Sequence, residues 1–422
     1  MARRRRRRRP PSAPAPDGAR PEADKPAPRI SENQDGANPG DGRPSSTDHP
    51  QRAPHRNIKG RTRGNDNRGA APRFAALDLG TNNCRLLIAS PRGAGFRIYD
   101  AFSRIVRLGE GIASAGALSG AAMERTIDAL KICAEKISRR QVSKSRCIAT
   151  QACRSASNGA EFLSRVREET GLDFEIIAPE EEARLAVSGC AELVDTDAPA
   201  GLIFDIGGGS TEVSWIRPVQ RRNGEARMRP PEILAWTSFP MGVVNLSERF
   251  GGKEISRDKY ADLVEMIRKE IAGVGDPAGL REEFLNGRGH FLGTSGTVTS
   301  IAGVHLRLAK YRRDAVDGLW LAESEVRDVS EQLRAMSYEA RANQPCIGHE
   351  RADLVVSGCA ILEALLLEWP SSRIRVADRG LREGMLAGLA AQSERRRRRR
   401  KRKDERGATP AGAAKPSAPA KE

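Results

Sequence analysis

Three consecutive glycines interrupt two apolar strand patterns at Leu202-Ile203-Phe204-Asp205-Ile206-Gly207-Gly208-Gly209-Ser210-Thr211-Glu212-Val213-Ser214-Trp215. A chain holding this stretch has few ways to fold around it. Glycine admits positive φ and lets backbone approach a ligand with no Cβ in the way. A hairpin turn of this composition can aim several backbone N–H groups at one point, a nest suited to an anion such as phosphate. Gly207, Gly208, Gly209, Ser210 and Thr211 are therefore candidate phosphate contacts. Asp205 before the turn and Glu212 after it put two carboxylates at the mouth of the nest. Carboxylates beside phosphate oxygens usually signal a bridging Mg²⁺ or an activated water, because bare like charges repel. A lone Gly-Gly-Gly-Ser is more often a plain hairpin with solvated acids, but this one has a counterpart.

The counterpart is Phe74-Ala75-Ala76-Leu77-Asp78-Leu79-Gly80-Thr81-Asn82-Asn83-Cys84-Arg85-Leu86-Leu87-Ile88. Laying Asp78 on Asp205 aligns two copies of a strand, an Asp-x-Gly turn and a second strand. Such a repeat suggests a duplicated α/β unit with both turns facing one cleft. Gly80, Thr81, Asn82 and Asn83 then match the second turn as phosphate contacts. One copy ends in Arg85 and the other in Glu212, so the halves bring opposite charges to a phosphate between them.

On these residues the chain resembles the exopolyphosphatase / guanosine pentaphosphate phosphohydrolase family, within the actin-like ATPase superfamily, from about Phe74 to about Ala391. Further segments carry the likeness. Thr150-Gln151-Ala152-Cys153-Arg154 resembles a T-x-A-x-R motif whose arginine reaches the phosphate chain, and a planar guanidinium suits that role. Glu182 stands directly before Ala183-Arg184, where the resemblance puts the catalytic glutamate. Its neighbours Glu180 and Glu181 are explained by a helix N-terminus starting at Pro179. Phe239-Pro240-Met241-Gly242-Val243-Val244-Asn245-Leu246 resembles an M-G-x-V segment. Gly293-Thr294-Ser295-Gly296-Thr297 reads as a strand, a small-residue turn and a helix start. There Ser295, Gly296 and Thr297 could hold phosphate. Gly380-Leu381-Arg382-Glu383-Gly384 resembles the family's G-L-R-E-G ending, with Arg382 a further phosphate contact.

The charge of the chain is concentrated at its ends. Residues 1–72 hold 17 Lys/Arg against 8 Asp/Glu and residues 394–422 hold 12 against 4, which leaves the middle at −1 of the total +16. The first segment opens with Arg3 to Arg9 and has almost no aliphatic residues, so it reads as a disordered basic tail. Pro10 and Pro11 follow the arginines where a signal peptide would need an apolar core. Arg395 to Arg400 and Lys401-Arg402-Lys403 mark a second disordered tail, and both tails suit non-specific binding of RNA or another polyanion. No run reaches the roughly 18 apolar residues of a membrane span. The seven cysteines show no C-x-x-C spacing and the five histidines no H-x-x-H, which argues for reduced packing thiols, no zinc site and a cytoplasmic protein.

The expected architecture is thus α/β: two actin-like, ribonuclease H-like domains, residues 73–197 and 198–393, with a cleft between them and tails at 1–72 and 394–422. The final helix is free to pack back on domain I. By resemblance Glu182 and Glu212 are catalytic, and Asp78, Asp205 and Glu212 would hold Mg²⁺. The expected reaction is release of terminal orthophosphate from inorganic polyphosphate. Hydrolysis of guanosine pentaphosphate (pppGpp) by the same site is the second reading, and a polyanion-binding regulatory protein with an idle core is the third. Longer family members continue into a helical, HD-like domain, whereas this chain is expected to be a short form without it. A homodimer stays open. The basic hairpin tip between Trp215 and Glu232, Arg217 to Glu225 and beyond, has no assigned role.

Overall fold

The computed structural model of the chain describes residues 71–93, 95–220 and 230–407. The tail before residue 71 and the hairpin tip at 221–229 lie outside the described residues. Two strands, β1 (Phe74–Leu79) and β6 (Ala200–Ile206), are buried along their length except at one residue each, Asp78 and Asp205. Strands this apolar need cover on both faces.

The first sheet adds β2 (Asn83–Arg92), β3 (Gly95–Ile105), β4 (Lys144–Ala149) and β5 (Phe174–Ile176), in the order β3-β2-β1-β4-β5. β1 to β3 form an antiparallel meander, and β4 and β5 extend the sheet in parallel on the other side of β1. The second sheet contains β6, β7 (Thr211–Arg217), β8 (Glu232–Phe239), β9 (Gly289–Thr294), β10 (Trp320–Ala322) and β11 (Arg373–Ala377). Its order is β10-β11-β9-β6-β7-β8. From the β8 edge it repeats the first sheet: a three-strand antiparallel meander, then two parallel strands, with antiparallel β10 added at the end. The actin-like plan is therefore present twice. Register confirms the alignment of the two turns, since Asp78 pairs with Arg85 across β1 and β2, and Asp205 with Glu212 across β6 and β7.

Alternation sends the two faces of each middle strand into different cores. Ala75, Leu77 and Leu79 pack under the helix Gly120–Arg139, which Ser119 caps by accepting from the Ala122 N–H. Phe74 and Ala76 face the other way, onto Leu185 and Ala186 of the helix Pro179–Cys190 and onto Met385, Leu386 and Leu389 of the long helix Leu381–Gly407. In the second sheet Ile203 packs with Val187 and Cys190 of that same Pro179–Cys190 helix. One helix thus serves the inner faces of both sheets, and Asp78 and Asp205 share those faces with Ala76 and Ile203.

The long helix departs from expectation. Residues from 394 read as a disordered tail, yet the helix continues through Arg395 and beyond to Gly407. Arginine, lysine and glutamate are good helix formers, and no proline or glycine interrupts residues 389–406. Its first turns cross the Pro179–Cys190 helix at very short range. A Cβ on Gly384 would lie 2.2 Å from the Leu185 carbonyl oxygen, and one on Gly189 would lie 1.9 Å from that of Gly380. Among the described residues no helix is long and apolar enough to cross a membrane.

Gly384→Ala should force the two helices apart and lower stability by about 1–3 kcal/mol, the usual cost of overpacking. Gly388, with open space around its Cβ position, is the control. Gly388→Ala should be neutral or stabilising by up to about 1 kcal/mol. Urea unfolding of both variants decides it, and equal midpoints would remove the close crossing as a constraint.

Candidate active site

The two glycine turns touch. A Cβ on Gly208 would lie 3.0 Å from the Thr81 Cβ and 3.1 Å from the Asn82 nitrogen, and one on Gly209 would lie 2.0 Å from the Gln151 Oε1. Each turn closes the same way: the Gly80 N–H donates to the Asn83 carbonyl at 2.9 Å, and the Gly207 N–H to the Ser210 carbonyl at 2.9 Å. The carbonyls of the second turn are occupied from behind, since the Val243 and Val244 N–H groups donate to Gly207 and Gly208 and the Asn245 Nδ2 to Gly209. In the first turn, Asn82 and Thr81 accept from Val106 and Gly109. The N–H groups of Thr81, Asn82, Gly208 and Gly209 have no partner among the described residues. With their carbonyls anchored, the turns present donors to the space between them, as an anion nest requires.

That space is a narrow cavity of about 70 Å³ that adjoins a wider one of about 770 Å³. Asp78, Arg85, Asp205, Ser295 and Leu381 line both. Glu182 and Glu212 reach the narrow cavity, together with the turn residues Gly80 to Asn83 and Gly207 to Ser210. Gly296 and Thr297 line a small neighbouring void with Arg351, Asn82 and Gly208. Arg382 lines the wide cavity, where Arg104, Arg313, Arg351 and Arg379 join Arg85, six arginines against the four carboxylates Asp78, Asp205, Glu350 and Asp378. Arg85, Arg351 and Arg382 make no ion pair with a described residue, whereas Arg313 and Arg379 are bound to Glu383 and Asp317.

Two residues expected on phosphate sit elsewhere. The Thr211 hydroxyl donates to the Met241 carbonyl at 2.6 Å and stays out of the cavity, because as the first residue of β7 it points to the face opposite its neighbour Glu212. The Arg154 Nη1 donates to the Ile177 carbonyl at 2.7 Å and to the Glu182 Oε2 at 3.4 Å. It lies on the short helix Gln151–Ser155, whose first turn instead delivers Gln151, an acceptor for the Thr81 hydroxyl. Arg154 thus bears on the expected base.

The carboxylates crowd one another. Burial pushes Glu182 well above the usual carboxylate range, and the charges of Glu212, Asp205 and Asp78 push the same way against Arg154. Burial and the Glu212 charge push Asp205 up to about 7. Asp78 is raised by burial against the opposing Arg85 and Arg382. Burial also raises Glu212, although its Oε1 accepts from the Ser210 hydroxyl at 2.6 Å and the Ser238 hydroxyl at 2.8 Å. No set of three His, Cys, Asp or Glu residues with metal-holding geometry occurs among the described residues. Asp78, Asp205 and Glu212 therefore line one cavity without forming a ready cage, and the Glu212 Oε1 is already engaged by Ser210 of the turn and Ser238 of β8. The donors present still fit a hard cation: buried Asp78 Oδ1, Asn82 Oδ1 and Asn83 Oδ1 have no hydrogen-bond partner among the described residues. Mg²⁺ commonly uses one or two carboxylates and completes its shell with substrate phosphates and water.

Ser295 stands where the cavities meet, with φ 78 and ψ −168. That region is essentially reserved for glycine and costs a serine about 1–3 kcal/mol. Its strain aims the start of the helix Gly296–His305 at the cavities, and its hydroxyl tempers the rise at Asp205. The sequence reading missed Gln151, Ser238 and Asn245, and also Tyr311 and the wall arginines 104, 313, 351 and 379. Asn245 follows directly on the M-G-x-V motif, but the wall arginines come from separate segments, Arg104 from β3, Arg313 from the short helix Arg313–Val316, and Arg351 and Arg379 from loops, with no shared spacing.

A raised carboxyl stabilises the fold below its unfolded value, near 4, and that contribution is lost as pH climbs through the folded value of about 7 at Asp205. In chelator, Asp205→Asn should therefore melt higher than the parent at pH 8, by roughly 2–4 kcal/mol. The gain should shrink toward zero near pH 4. A gain independent of pH would show that ionisation of Asp205 is not the source.

The Ppx/GppA phosphatase family model matches residues 87–393. A guanosine-5'-triphosphate,3'-diphosphate pyrophosphatase of Aeromonas salmonicida is 29% identical over 322 residues, which is 76% of this chain and 60% of that protein. The chain therefore spans about 60% of that relative's length. Among solved structures, the Aquifex aeolicus member of the Ppx/GppA family matches with a TM-score of 0.62 and 27% identity, over 76% of this chain and 98% of that one. An exopolyphosphatase from Cytophaga hutchinsonii matches with a TM-score of 0.64 and 25% identity, again over 76% and 98%. With the duplicated turns, the crowded carboxylates and the basic wall in place, these matches make the chain a member of the Ppx/GppA phosphatase family.

Proposed function

We propose that the chain hydrolyses the terminal phosphoanhydride bond of inorganic polyphosphate and releases orthophosphate. The observation that carries this reading is a narrow cavity between two anchored glycine turns, adjoining a wide cavity walled by arginines. The first is small enough for one phosphoryl group, and the second can take the anionic remainder of the substrate. The free N–H groups of Thr81, Asn82, Gly208 and Gly209 would donate to oxygens of the terminal phosphate. Arg85 and Arg382 offset charge on its leaving side. Phosphoryl transfer needs little covalent help, so positioning and charge neutralisation supply most of the catalysis.

Glu182 takes the proton of the attacking water. Burial among other carboxylates raises its basicity, which a base working near neutrality needs. The Arg154 guanidinium holds it in place. Glu212, fixed by Ser210 and Ser238, faces the same water and orients it. Asp78 and Asp205 would hold Mg²⁺, whose charge relieves both the carboxylate crowding and the phosphate repulsion. The protein on this reading works in the cytoplasm.

A second substrate has its own support. The Aeromonas relative is described as a pppGpp pyrophosphatase, and the wide cavity also presents Tyr311, Pro345 and Ile347, room and apolar surface that a bare polyphosphate does not need. pppGpp ends in the same group, so the chemistry is shared. The ratio of kcat/KM on the two substrates separates the readings, and a value far in favour of pppGpp would displace polyphosphate.

Glu182→Gln should lose turnover by at least about a hundredfold, the usual yield of a general base, while still binding polyphosphate. Near-normal phosphate release by this variant would assign the base elsewhere. EDTA should abolish phosphate release and Mg²⁺ restore it, and release that persists in chelator would take Asp78 and Asp205 out of a metal role.

A further inference from the structure

The long helix leaves the body of the protein before its basic run begins. It is packed through Ala390, and from Ala391 to Arg399 its residues are solvent-exposed apart from the half-buried Ser393. At 1.5 Å per residue, Arg395 lies about 20 Å further along the helix than Arg382 at the wall of the wide cavity. The basic run is therefore no continuation of the substrate cavity. Arg395 to Arg399 are all exposed, and none makes an ion pair or hydrogen bond with a described residue. The helical backbone continues through Arg400-Lys401-Arg402-Lys403.

We propose that this basic segment is a sequence-independent binding site for double-stranded DNA, separate from the phosphohydrolase cavities. The pattern of charge selects the partner. Successive residues turn 100° about a helix, so five arginines in a row encircle it, where a surface helix normally carries a stripe. Like charges three and four positions apart disfavour the helix unless an anion reaches them. A single polyphosphate or nucleic acid strand lies along one side and leaves the other side uncompensated. A groove with phosphates on both walls meets arginines on all sides. The major groove of B-form DNA, about 12 Å wide, admits an α-helix, whereas the deep and narrow groove of A-form RNA does not. Residues 395–403 hold only Arg and Lys, which suit phosphates and carry none of the amide side chains that read adenine. The body between the ends carries almost no net charge: residues 73–393 net −1, against 12 Lys/Arg and 4 Asp/Glu in residues 394–422 and 17 and 8 in residues 1–72.

Fluorescence anisotropy of the full chain with a labelled 20-base-pair duplex, across a salt series, tests this. Polyphosphate and a single strand of equal phosphate count serve as competitors. The duplex should bind more tightly than either competitor. Replacing all of Arg395 to Arg399 by Gln, which keeps helix propensity, should weaken duplex binding at least tenfold at low salt. It should also reduce the slope of log K against log salt by about 4–5, near 0.9 for each of the lost phosphate contacts. Arg395→Gln with Arg399→Gln should cost about as much as Arg396→Gln with Arg397→Gln, because both sides of the helix face phosphates. Phosphate release from tripolyphosphate should be unchanged in every variant. Unaltered duplex binding by the five-residue variant would overturn the proposal and move the site elsewhere. So would polyphosphate matching the duplex phosphate for phosphate, or one pair of arginines carrying the whole loss, because either describes a one-sided polyanion site.

Discussion

Four carboxylates share one confined space, and the rest of the site answers to that crowding. Asp78, Glu182, Asp205 and Glu212 all hold their protons more tightly than free carboxyls, with burial the first cause in each case. Without compensation such a set lowers the stability of the fold at neutral pH. Arg85 and Arg382 oppose it at Asp78, Arg154 at Glu182, and two serine hydroxyls at Glu212. What is left uncompensated gives the site its use: a basic carboxylate next to a nest of free N–H groups, and oxygens suited to a hard cation.

Duplication explains how the crowding arises and why it is not symmetrical. Each sheet places an aspartate one residue before the end of its middle strand, and each turn closes with the same 2.9 Å hydrogen bond. The residue paired with that aspartate is Arg85 in one copy and Glu212 in the other. The first copy can therefore balance its aspartate and the second cannot. The Pro179–Cys190 helix lies against both inner faces and delivers Glu182 to the less balanced side, and the long helix brings Arg382 to the other. Both meet at a crossing that only glycine permits, at Gly189 and Gly384. The bidentate pair from Arg107 to Asp353, at 3.0 Å through each nitrogen, adds a direct link between the two sheets' loops beside the turns.

Much of this was legible in the residues. The two Asp-x-Gly turns announced the duplication, and the family resemblance singled out Glu182 by its place before Ala183-Arg184. Other features were hidden because they depend on distant chain segments. Arg154 looked like a phosphate contact, yet the short helix that carries it turns its guanidinium to Ile177 and Glu182. Thr211 belonged to the turn motif but points to the face opposite Glu212. The wall of the wide cavity is drawn from β2, β3 and several loops, with no local signature. The basic run after Glu394 looked like a tail because its composition cannot form a core. Helix propensity, which needs no core once a helix is already nucleated, carries it on to Gly407.

Hydrolysis of the proposed substrate in water enriched in ¹⁸O addresses the centre of this account most directly, because it reports which phosphorus is attacked. If the terminal phosphoryl group lies between the two turns and Glu182 directs water onto it, each released orthophosphate should carry one solvent oxygen. The shortened chain should then carry none. Label in the retained polyphosphate or nucleotide would place the attack on an inner phosphorus, and the assignment of the narrow cavity to the terminal phosphate would be wrong.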